Sequence, residues 1–452
     1  MTKLKYERPI IKRLENSMPN KFGMRTEFKP MTHIEGVAVK DIIDKYGSPV
    51  YVISESVIRK TYHNAQRAFN TRYPKVQFAW SYKTNYLSAV CNTFHQLGSW
   101  AEVVSGFEYD KALGNGVDGR NIIFNGPDKT RPDLIKAIEN KSLIHIDHLD
   151  EYYMILDLAE ELSLRPQVAI RVNMDTGIYP IWDRFGFNYE NGQAWDVLNK
   201  IMISKKMDLI GLHAHIGTYM MTAAPYGIAA KKLADLAVGI KQKYDYYIKY
   251  IDLGGGFASK NTLKGAYLPA EDTNPSFDEY AEAITSSLLN SNIHPDHLPT
   301  LILETGRALI DDSAYLLGSV IANKRNSIGK RTTILDIGVN LLFTSFWYEH
   351  KITPAQSFSH HVEDTVLYGP LCMNIDVIRE NISLPLLNTG DHVVIHRVGA
   401  YNMTQWMQFI TLRPNVLMIT ENGDVEIIRE QEQMSTISNL EKVPKHLSSF
   451  EL

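Results

Sequence analysis

Lys83 is the side chain in this sequence whose position first suggests chemistry. It ends the apolar, aromatic run "FAWSYK", which has the character of a strand, and a helix-like stretch follows at once. A lysine at a strand end can simply extend its ammonium to water. In a partly dry pocket, however, its amine can lose a proton and attack an aldehyde to form a Schiff base. The second interpretation requires an anion site and a partner for a ring nitrogen elsewhere in the chain.

Two later segments offer such groups. "LGGGFAS" places Gly254, Gly255 and Gly256 after a strand, where backbone N–H groups can approach a phosphate, although three glycines can equally mark a tight turn. "LETGRALI" places Glu304 and Arg307 at the end of another strand. A carboxylate there can keep a ring nitrogen protonated and an arginine can bind phosphate, but an ion pair between the two side chains is the plainer alternative.

The histidines and cysteines allow further chemistry. His213 and His215 alternate in "GLHAHIGT", so in a strand both would point the same way. A third nitrogen or sulfur ligand in a matching context is missing, and the sequence therefore predicts no metal site. Cys372 lies in "GPLCMNID", a loop in which a thiol can be exposed enough to donate or accept a proton. Cys91 lies among apolar helical positions and is assigned to the core.

The composition restricts the class of protein. The 452 residues are 44% hydrophobic and 22% charged, as in ordinary soluble globular proteins, and 47 basic against 51 acidic residues give no case for a nucleic-acid binder. No apolar run is long enough to cross a membrane, and the first twenty residues lack the apolar core of a secretory signal. Two cysteines are too few for a disulfide framework. A cytoplasmic location is therefore predicted, with neither nucleic acid nor membrane as a partner.

A regular alternation of strands and helices organises most of the chain. Eight short apolar runs, from "VQFAWSYK" to "LILETG", alternate with helical periodicity, which predicts a (β/α)8 TIM barrel with polar residues at the C-terminal strand ends. After residue 310 the sequence has the character of consecutive β-strands without comparable helices, and "NGD" predicts a hairpin turn. The predicted domains are an N-terminal extension at 1–45, part of which joins the β domain, a barrel at 46–310, and a mostly β domain with a polar tail at 311–452.

Together these segments resemble the fold-type III pyridoxal-phosphate decarboxylases, which include diaminopimelate, ornithine and arginine decarboxylases. The resemblance extends from "DIIDKYGSPVYVIS" to "QFITLRPNVLMI". It implies an alanine-racemase-like barrel, pyridoxal 5'-phosphate as the cofactor, and decarboxylation of an amino acid in a homodimer with shared active sites. The cofactor is then expected to form its Schiff base with Lys83, and Cys372 of the partner subunit to protonate the reacting carbon.

The family's motifs also assign the other contacts with the cofactor. They fall on the following residues: His215, stacked on the ring; Thr218, in place of the serine of H-x-G-S; Gly254, Gly255, Gly256 and Arg307, at the phosphate; Glu304, at the ring nitrogen; and Tyr401, in the "GAY" motif.

Departures from the family pattern bear on the substrate. Where diaminopimelate decarboxylases have an acid after the cysteine, this chain has Met373, and Thr344 replaces the arginine that holds a distal carboxylate. The "WYEH" segment resembles Y-D-H of ornithine decarboxylases and suggests Glu349 as an amine partner, with Tyr348, Met373 and Asp376 as further candidate substrate residues. The chain is therefore expected not to be a standard diaminopimelate decarboxylase.

An unusual substrate is predicted instead, such as a modified or carrier-linked amino acid of siderophore or antibiotic assembly. Two other classes stay open. One is an amino-acid racemase on the same fold, although racemases use a tyrosine base and lack the "GPLC" element. The other is a catalytically inactive, decarboxylase-like binding protein, against which the complete set of cofactor residues argues.

Overall fold

The computed structural model describes residues 29–358 and 361–447. Eight strands in the first of these ranges pair in parallel and close into a barrel, because Thr300–Leu303 at the end of the series pairs with Val76–Ser81 at its start. The predicted (β/α)8 barrel is thus confirmed. Its strands are Val76–Ser81, Trp100–Val103, Ile122–Phe124, Leu143–Ile146, Gln167–Asn173, Asp208–His213, Tyr250–Asp252 and Thr300–Leu303.

Amphipathic helices surround these strands and bury one apolar face against them. Helix Glu55–Asn70, for example, buries Ile58, Tyr62 and Phe69, and Ser54 caps its N-terminus. Helices Arg131–Glu139 and Phe277–Leu289 each begin with a capping box. The helices packed on the barrel are Glu55–Asn70, Ser88–Gln96, Gly106–Gly114, Arg131–Glu139, Leu149–Leu162, Gln193–Ser204, Ala224–Tyr244 and Phe277–Leu289. None of the helices in the described ranges is long and apolar enough to span a bilayer.

A second, mostly antiparallel sheet follows the barrel. Its longest strand, Ala314–Arg325, pairs with strands on both sides, and Val416–Ile419 and Val425–Arg429 form the hairpin that "NGD" predicts. The strands of this region are Val50–Ser54, Ala314–Arg325, Arg331–Leu335, Ile352–Pro354, Val362–Tyr368, Val377–Pro385, His392–His396, Val416–Ile419 and Val425–Arg429. Val50–Ser54 is the exception in chain order, because it precedes the barrel yet pairs with Ala314–Arg325 and Val416–Ile419. The domain boundary predicted from the sequence, between residues 45 and 46, had assigned this strand to the barrel, and the structure corrects that assignment.

The start of the described chain also packs on the second sheet. Strands His33–Ile34 and Val37–Ala38 form a hairpin before helix Val39–Tyr46, which buries Ile42 against that sheet. Residues 1–28 of the expected N-terminal extension lie outside the described residues. The other short elements are Tyr82–Thr84, Gly119–Asn121, Phe187–Asn188, Thr262–Leu263, Ala270–Thr273, Pro295–His297, Arg307–Ile310, Asp311–Ser313, Phe343–Phe346, Tyr348–Glu349, Met434–Ser438 and Lys445–Leu447.

The C-terminal ends of the barrel strands face the second sheet. Strand Thr262–Leu263, from a barrel loop, pairs with Tyr348–Glu349 of the β region. The amide of Tyr401 also donates a hydrogen bond to the carbonyl of Thr84 at 2.9 Å, directly after Lys83. These contacts place the β region over the end of the barrel at which TIM-barrel chemistry occurs.

Candidate active site

Lys83 lies at the C-terminal end of strand Val76–Ser81, in the 3-10 turn Tyr82–Thr84. Its Nζ donates to both carboxylate oxygens of Glu102, at 2.8 and 2.6 Å, and its side chain is 37% exposed. Burial lowers the pKa of the ammonium, but the negative charges of Glu102 and Glu304 more than offset this effect and hold the pKa above its usual value. In this arrangement the amine is protonated, and Glu102 is the group positioned beside its proton.

Glu102 and Asn125 were not among the predicted site residues. Glu102 interrupts the apolar strand Trp100–Val103, and a charge in such a strand was the available signal. The Asn125 Nδ2 donates to Glu102 Oε1 at 3.1 Å and to Glu304 Oε1 at 2.6 Å. A continuous hydrogen-bonded chain therefore joins Lys83, Glu102, Asn125 and Glu304.

Glu304 is a buried carboxylate that lies close to two other acidic side chains, Asp252 and Glu102. Its side chain follows strand Thr300–Leu303 and is 5% exposed. Burial and the nearby charges of Asp252 and Glu102 raise its pKa well above the usual range. A cationic partner, such as a protonated ring nitrogen, would relieve this repulsion and keep the carboxylate ionised.

A cluster of buried potential metal ligands lies around the same carboxylate. His145, His213, Asp252 and Glu304 have ligand atoms within 4.8 Å of one another. The prediction of no metal site rested on the lack of a third ligand near His213 in the sequence, and the fold supplies such neighbours from other strands. His145 Nε2 is already engaged with the Tyr250 hydroxyl at 2.9 Å. A metal here would also compete with any cationic partner of Glu304.

His215 has surroundings different from those of His213, because strand Asp208–His213 ends before it and the alternation of a strand does not extend to it. Its Nδ1 accepts a hydrogen bond from the amide of Gly255 at 3.0 Å, so the ring proton resides on Nε2. Burial and the positive charges of Arg171 and Lys83 lower the pKa of His215 well below the usual value. A neutral imidazole in this position can stack on a flat ring.

The three glycines after strand Tyr250–Asp252 lie so close to neighbouring atoms that no other residue type would fit at these positions. A Cβ would lie 2.6 Å from His215 Nδ1 at Gly254, 2.5 Å from the carbonyl oxygen of Glu304 at Gly255, and 2.2 Å from that of Gly217 at Gly256. Gly254 and Gly256 also have φ of +63° and +92°. The amides of Gly254 and Gly255 are engaged by Asp252 and His215, so two of the three N–H groups that the sequence offered to a phosphate are used within the chain.

Arg307 provides a stronger anion site than the glycines. It is 7% exposed, and its guanidinium carbon lies 4.6 Å from the ring centre of Tyr401, 5.3 Å from that of Tyr348 and 5.6 Å from that of Tyr219. Its Nη1 is buried and has no hydrogen-bond partner among the described residues. Tyr219 and Tyr401 have φ of +53° and +66°, a strained backbone that is common at functional sites. A phosphate or carboxylate would fit this cation, and the alternative, an ion pair between Arg307 and Glu304, is not formed.

A cavity of about 570 Å³ opens beside Arg307, and we call it the aromatic chamber. It brings together the predicted residues Thr218, Tyr348, Arg307 and Tyr401. Its lining residues are Trp182, Thr218, Tyr219, Leu263, Lys264, Arg307, Phe346, Trp347, Tyr348, Tyr401 and Gln405. The residues missed by sequence reasoning are mainly the aromatic ones, because an aromatic residue in a loop is not distinguishable from a core residue by sequence.

The other predicted substrate residues do not line the aromatic chamber. Asp376 is 3% exposed, and its two oxygens accept hydrogen bonds from the amides of Val339 and Leu371, at 2.8 and 2.7 Å. Asp376 therefore shapes the loop that carries Cys372. Met373, in the same loop, packs against the core.

Cys372 is exposed on this loop and does not line the chamber of its own chain. The carboxylate of Glu349 is paired with Arg379 at 2.9 Å, so it is not a free partner for a substrate amine. Thr344 is buried, and its hydroxyl is hydrogen-bonded to His350 and Asn402. Among the predicted substrate residues, Tyr348 is the one that the structure brings to the chamber.

Comparison with known proteins agrees with this arrangement. Residues 56–311 match the family of pyridoxal-dependent decarboxylases over its pyridoxal binding domain. The diaminopimelate decarboxylase of Methanocaldococcus jannaschii is 29% identical over 432 residues, which cover 92% of this chain and 95% of that protein. That of Aquifex aeolicus is 26% identical over 419 residues, covering 89% and 94% of the two chains.

Solved structures give the same result for the fold. Diaminopimelate decarboxylase from Methanocaldococcus jannaschii superposes with a TM-score of 0.85 at 28% identity, covering 93% of this chain and 98% of that chain. Lysine/ornithine decarboxylase from Vibrio vulnificus, complexed with putrescine, has a TM-score of 0.73 at 20% identity, covering 85% and 98%. The second likeness concerns the fold alone.

Proposed function

Since the chain belongs to the pyridoxal-dependent decarboxylases and is an amino-acid decarboxylase that uses pyridoxal 5'-phosphate, we propose that Lys83 holds this cofactor and that the substrate is an amino acid other than diaminopimelate. When bound, pyridoxal phosphate supplies an electron-withdrawing ring that accepts the electrons released as CO2 leaves an amino acid. The observation that carries the proposal is the hydrogen-bonded chain from Lys83 through Glu102 and Asn125 to Glu304.

The buried charges of the site match the two ends of this cofactor. Glu304 forms no ion pair with a lysine or arginine of the described residues, because the nearby Lys83 ammonium is bound by Glu102, and a protonated pyridine nitrogen would provide such a partner. Arg307 has an unpartnered Nη1, and a phosphate would accept its hydrogen bond. Glu102 would hold the proton of Lys83 while the amine is free, and the neutral His215 would lie against the ring. Thr218, Tyr401 and Gly256 complete the proposed contacts, while Gly254 and Gly255, whose amides are engaged within the chain, keep the loop close to its neighbours.

Cys372 is proposed to act in the active site of a second copy of the chain. Its exposure, together with its absence from the aromatic chamber of its own chain, supports a homodimer with shared sites. Mixing Lys83→Ala chains with Cys372→Ala chains should then restore activity, because a heterodimer has one site with both residues intact. Random pairing makes about half of the dimers mixed, each with one good site in two, so about a quarter of wild-type activity is the ceiling. Activity at the sum of the two variants after demonstrated subunit exchange would contradict the shared site.

The substrate is proposed to differ from diaminopimelate because the groups that would hold its distal amine and carboxylate are changed. Met373 and Thr344 stand at the two positions in question, and Glu349 is neutralised by Arg379. A modified or carrier-linked amino acid remains within this proposal, and a cytoplasmic location stays a prediction from composition.

The test is CO2 release from carboxyl-labelled amino acids by the holoenzyme, combined with the visible absorbance of the bound cofactor. Lys83→Ala should remove the absorbance of the covalently bound cofactor and abolish CO2 release. Lys75→Ala is the matched control, because Lys75 lies before the opposite end of the same strand and is exposed. Exchange of the α-hydrogen without CO2 release would show a racemase, and failure to bind pyridoxal phosphate would show an inactive binding protein.

A further inference from the structure

The aromatic chamber is apolar in its walls and positive in its charges. Trp182, Leu263, Phe346 and Trp347 provide apolar surface, and the lining residues among the described ranges include no aspartate or glutamate. The charged groups of the lining are Arg307, which the proposed function assigns to the cofactor phosphate, and Lys264, which is left for the substrate. Relatives named for lysine and ornithine act on substrates with a distal ammonium, which would be repelled by such a chamber.

Lys264 has a defined position in the wall. Leu263 pairs with Tyr348 between the barrel loop and the β region, and the amide of Lys264 then donates to the carbonyl of Trp347 at 2.8 Å. The side chain therefore starts from a backbone that is fixed at the junction of the two sheets. Its ammonium has no hydrogen-bond or ion-pair partner within residues 29–358 and 361–447.

Among the described residues, the two acids that the sequence suggested as substrate contacts, Glu349 and Asp376, do not line this chamber. Glu349 follows Tyr348 in the same strand, but its carboxylate is bound by Arg379. The loop that a second subunit would bring with Cys372 adds the neutral Met373, and Asp376 is occupied by backbone amides. The rings of the chamber's three tyrosines already face the guanidinium of Arg307.

We propose that the side chain of the substrate ends in a carboxylate, which Lys264 binds, while Trp182, Phe346 and Trp347 contact its apolar stem. This inference rests on the proposed function and names the substrate class of the same site. It assigns to Lys264 a role in specificity, which acts on binding and not on the chemical step.

Binding of product-like amines tests the proposal without turnover. The holoenzyme is titrated calorimetrically with 5-aminopentanoate, pentylamine and cadaverine, which share a reacting amine on an aliphatic chain and differ mainly in the distal group. We expect 5-aminopentanoate to bind most tightly and cadaverine least, with a difference on the order of tenfold or more between these two. Equal affinities, or tighter binding of cadaverine, would overturn the inference.

Variants of Lys264 assign the preference to this residue. Lys264→Met should weaken 5-aminopentanoate about tenfold and leave pentylamine unchanged, and Lys264→Glu should reverse the order of 5-aminopentanoate and cadaverine. Lys231→Met is the matched control, since it removes an exposed positive charge on the outer helix Ala224–Tyr244. An unchanged order in Lys264→Glu would also overturn the assignment.

Activity distinguishes this inference from the proposed function. CO2 release should have a higher kcat/KM for 2-aminoadipate, glutamate or 2-aminopimelate than for lysine, with Lys264→Met raising KM more than it lowers kcat. Release from lysine alone would overturn the acidic substrate and leave the decarboxylase intact. Absence of CO2 release from every acidic, neutral and basic amino acid would count against the proposed function itself.

Discussion

Replacing Glu304 with glutamine should stabilise the apoprotein while weakening the bound cofactor. The glutamine keeps the size of the side chain, and its amide oxygen can still accept the hydrogen bond that Asn125 donates to Oε1 at 2.6 Å. What changes is the charge. In the apoprotein, that charge is buried beside Asp252 and Glu102, and burial and these neighbours raise the pKa of Glu304. The substitution removes this repulsion.

The pH dependence follows from the direction of the shift. Because the pKa of Glu304 in the folded apoprotein lies above its ordinary value of 4.5, the folded chain holds the proton more tightly than the unfolded chain does. The wild-type apoprotein therefore loses stability as the pH rises above that value. The thermal midpoint of apo Glu304→Gln should exceed that of the wild type at pH 7, and the difference should shrink towards pH 4.

The holoenzyme should respond in the opposite direction. A hydrogen bond to a charged group contributes about 1.5–3 kcal/mol, and about 1.4 kcal/mol corresponds to a factor of ten, so the dissociation constant of pyridoxal phosphate should rise about 10- to 150-fold. Equilibrium dialysis measures this value. Unchanged affinity would refute Glu304 as the partner of the ring nitrogen.

Glu151→Gln is the control for the apoprotein. Glu151 is equally buried, but its Oε1 lies 2.7 Å from the buried Lys129 Nζ. Breaking such a pair costs about 3 kcal/mol, because a buried charge loses its partner. A thermal midpoint that falls in both variants would refute the reasoning that Glu304 has no ion-pair partner in the apoprotein.

Two further predictions follow from the packing around the site. Gly256→Ala should abolish binding of pyridoxal phosphate, because its Cβ would lie 2.2 Å from the carbonyl oxygen of Gly217. Gly265 also has a positive φ, +78°, but no atom lies within 4 Å of a Cβ added there. Gly265→Ala should therefore bind the cofactor normally in the same dialysis assay, which separates the effect of backbone strain from that of the clash. Asp376→Ala should lower the free energy of unfolding by about 2–4 kcal/mol, because two amides lose their acceptor; an unchanged thermal midpoint would show that water replaces the carboxylate.

The barrel could be predicted from the sequence because its signal is local and repeated. Each of the eight apolar runs is bounded by turn residues and followed by helical periodicity, and parallel pairing leaves few alternative arrangements. The position of Lys83 at a strand end follows from the same pattern. The strand Val50–Ser54 was equally visible, but its partner sheet was not, because the strands with which it pairs lie more than 250 residues later.

The side-chain partners could not be predicted in the same way. Glu102 and Asn125 come from different strands than Lys83, and the parallel pairing of the three neighbouring strands brings their ends together. Closure of the barrel then adds Glu304 from the last strand. The pairing of Glu349 with Arg379 is also set by tertiary packing, so a motif that suggested a free acid could not reveal its neutralisation. Sequence spacing reports which residues share an element, whereas electrostatic partners depend on which elements meet.

The unbalanced charges of the site provide an argument for the cofactor that does not use motifs. Lys83 and Glu102 neutralise each other, and within the described residues Glu304 then has no lysine or arginine as an ion-pair partner and Arg307 has no carboxylate as one. Burial of unpaired charges is costly, and one molecule that has a cationic ring nitrogen at one end and a phosphate at the other removes both costs. Binding to the folded state alone must then stabilise the fold by mass action, so the stability of this chain and its loading with pyridoxal phosphate are linked properties. The two residues that would bind the charged ends of the cofactor, Glu304 and Arg307, are therefore those whose charges the fold alone does not pair.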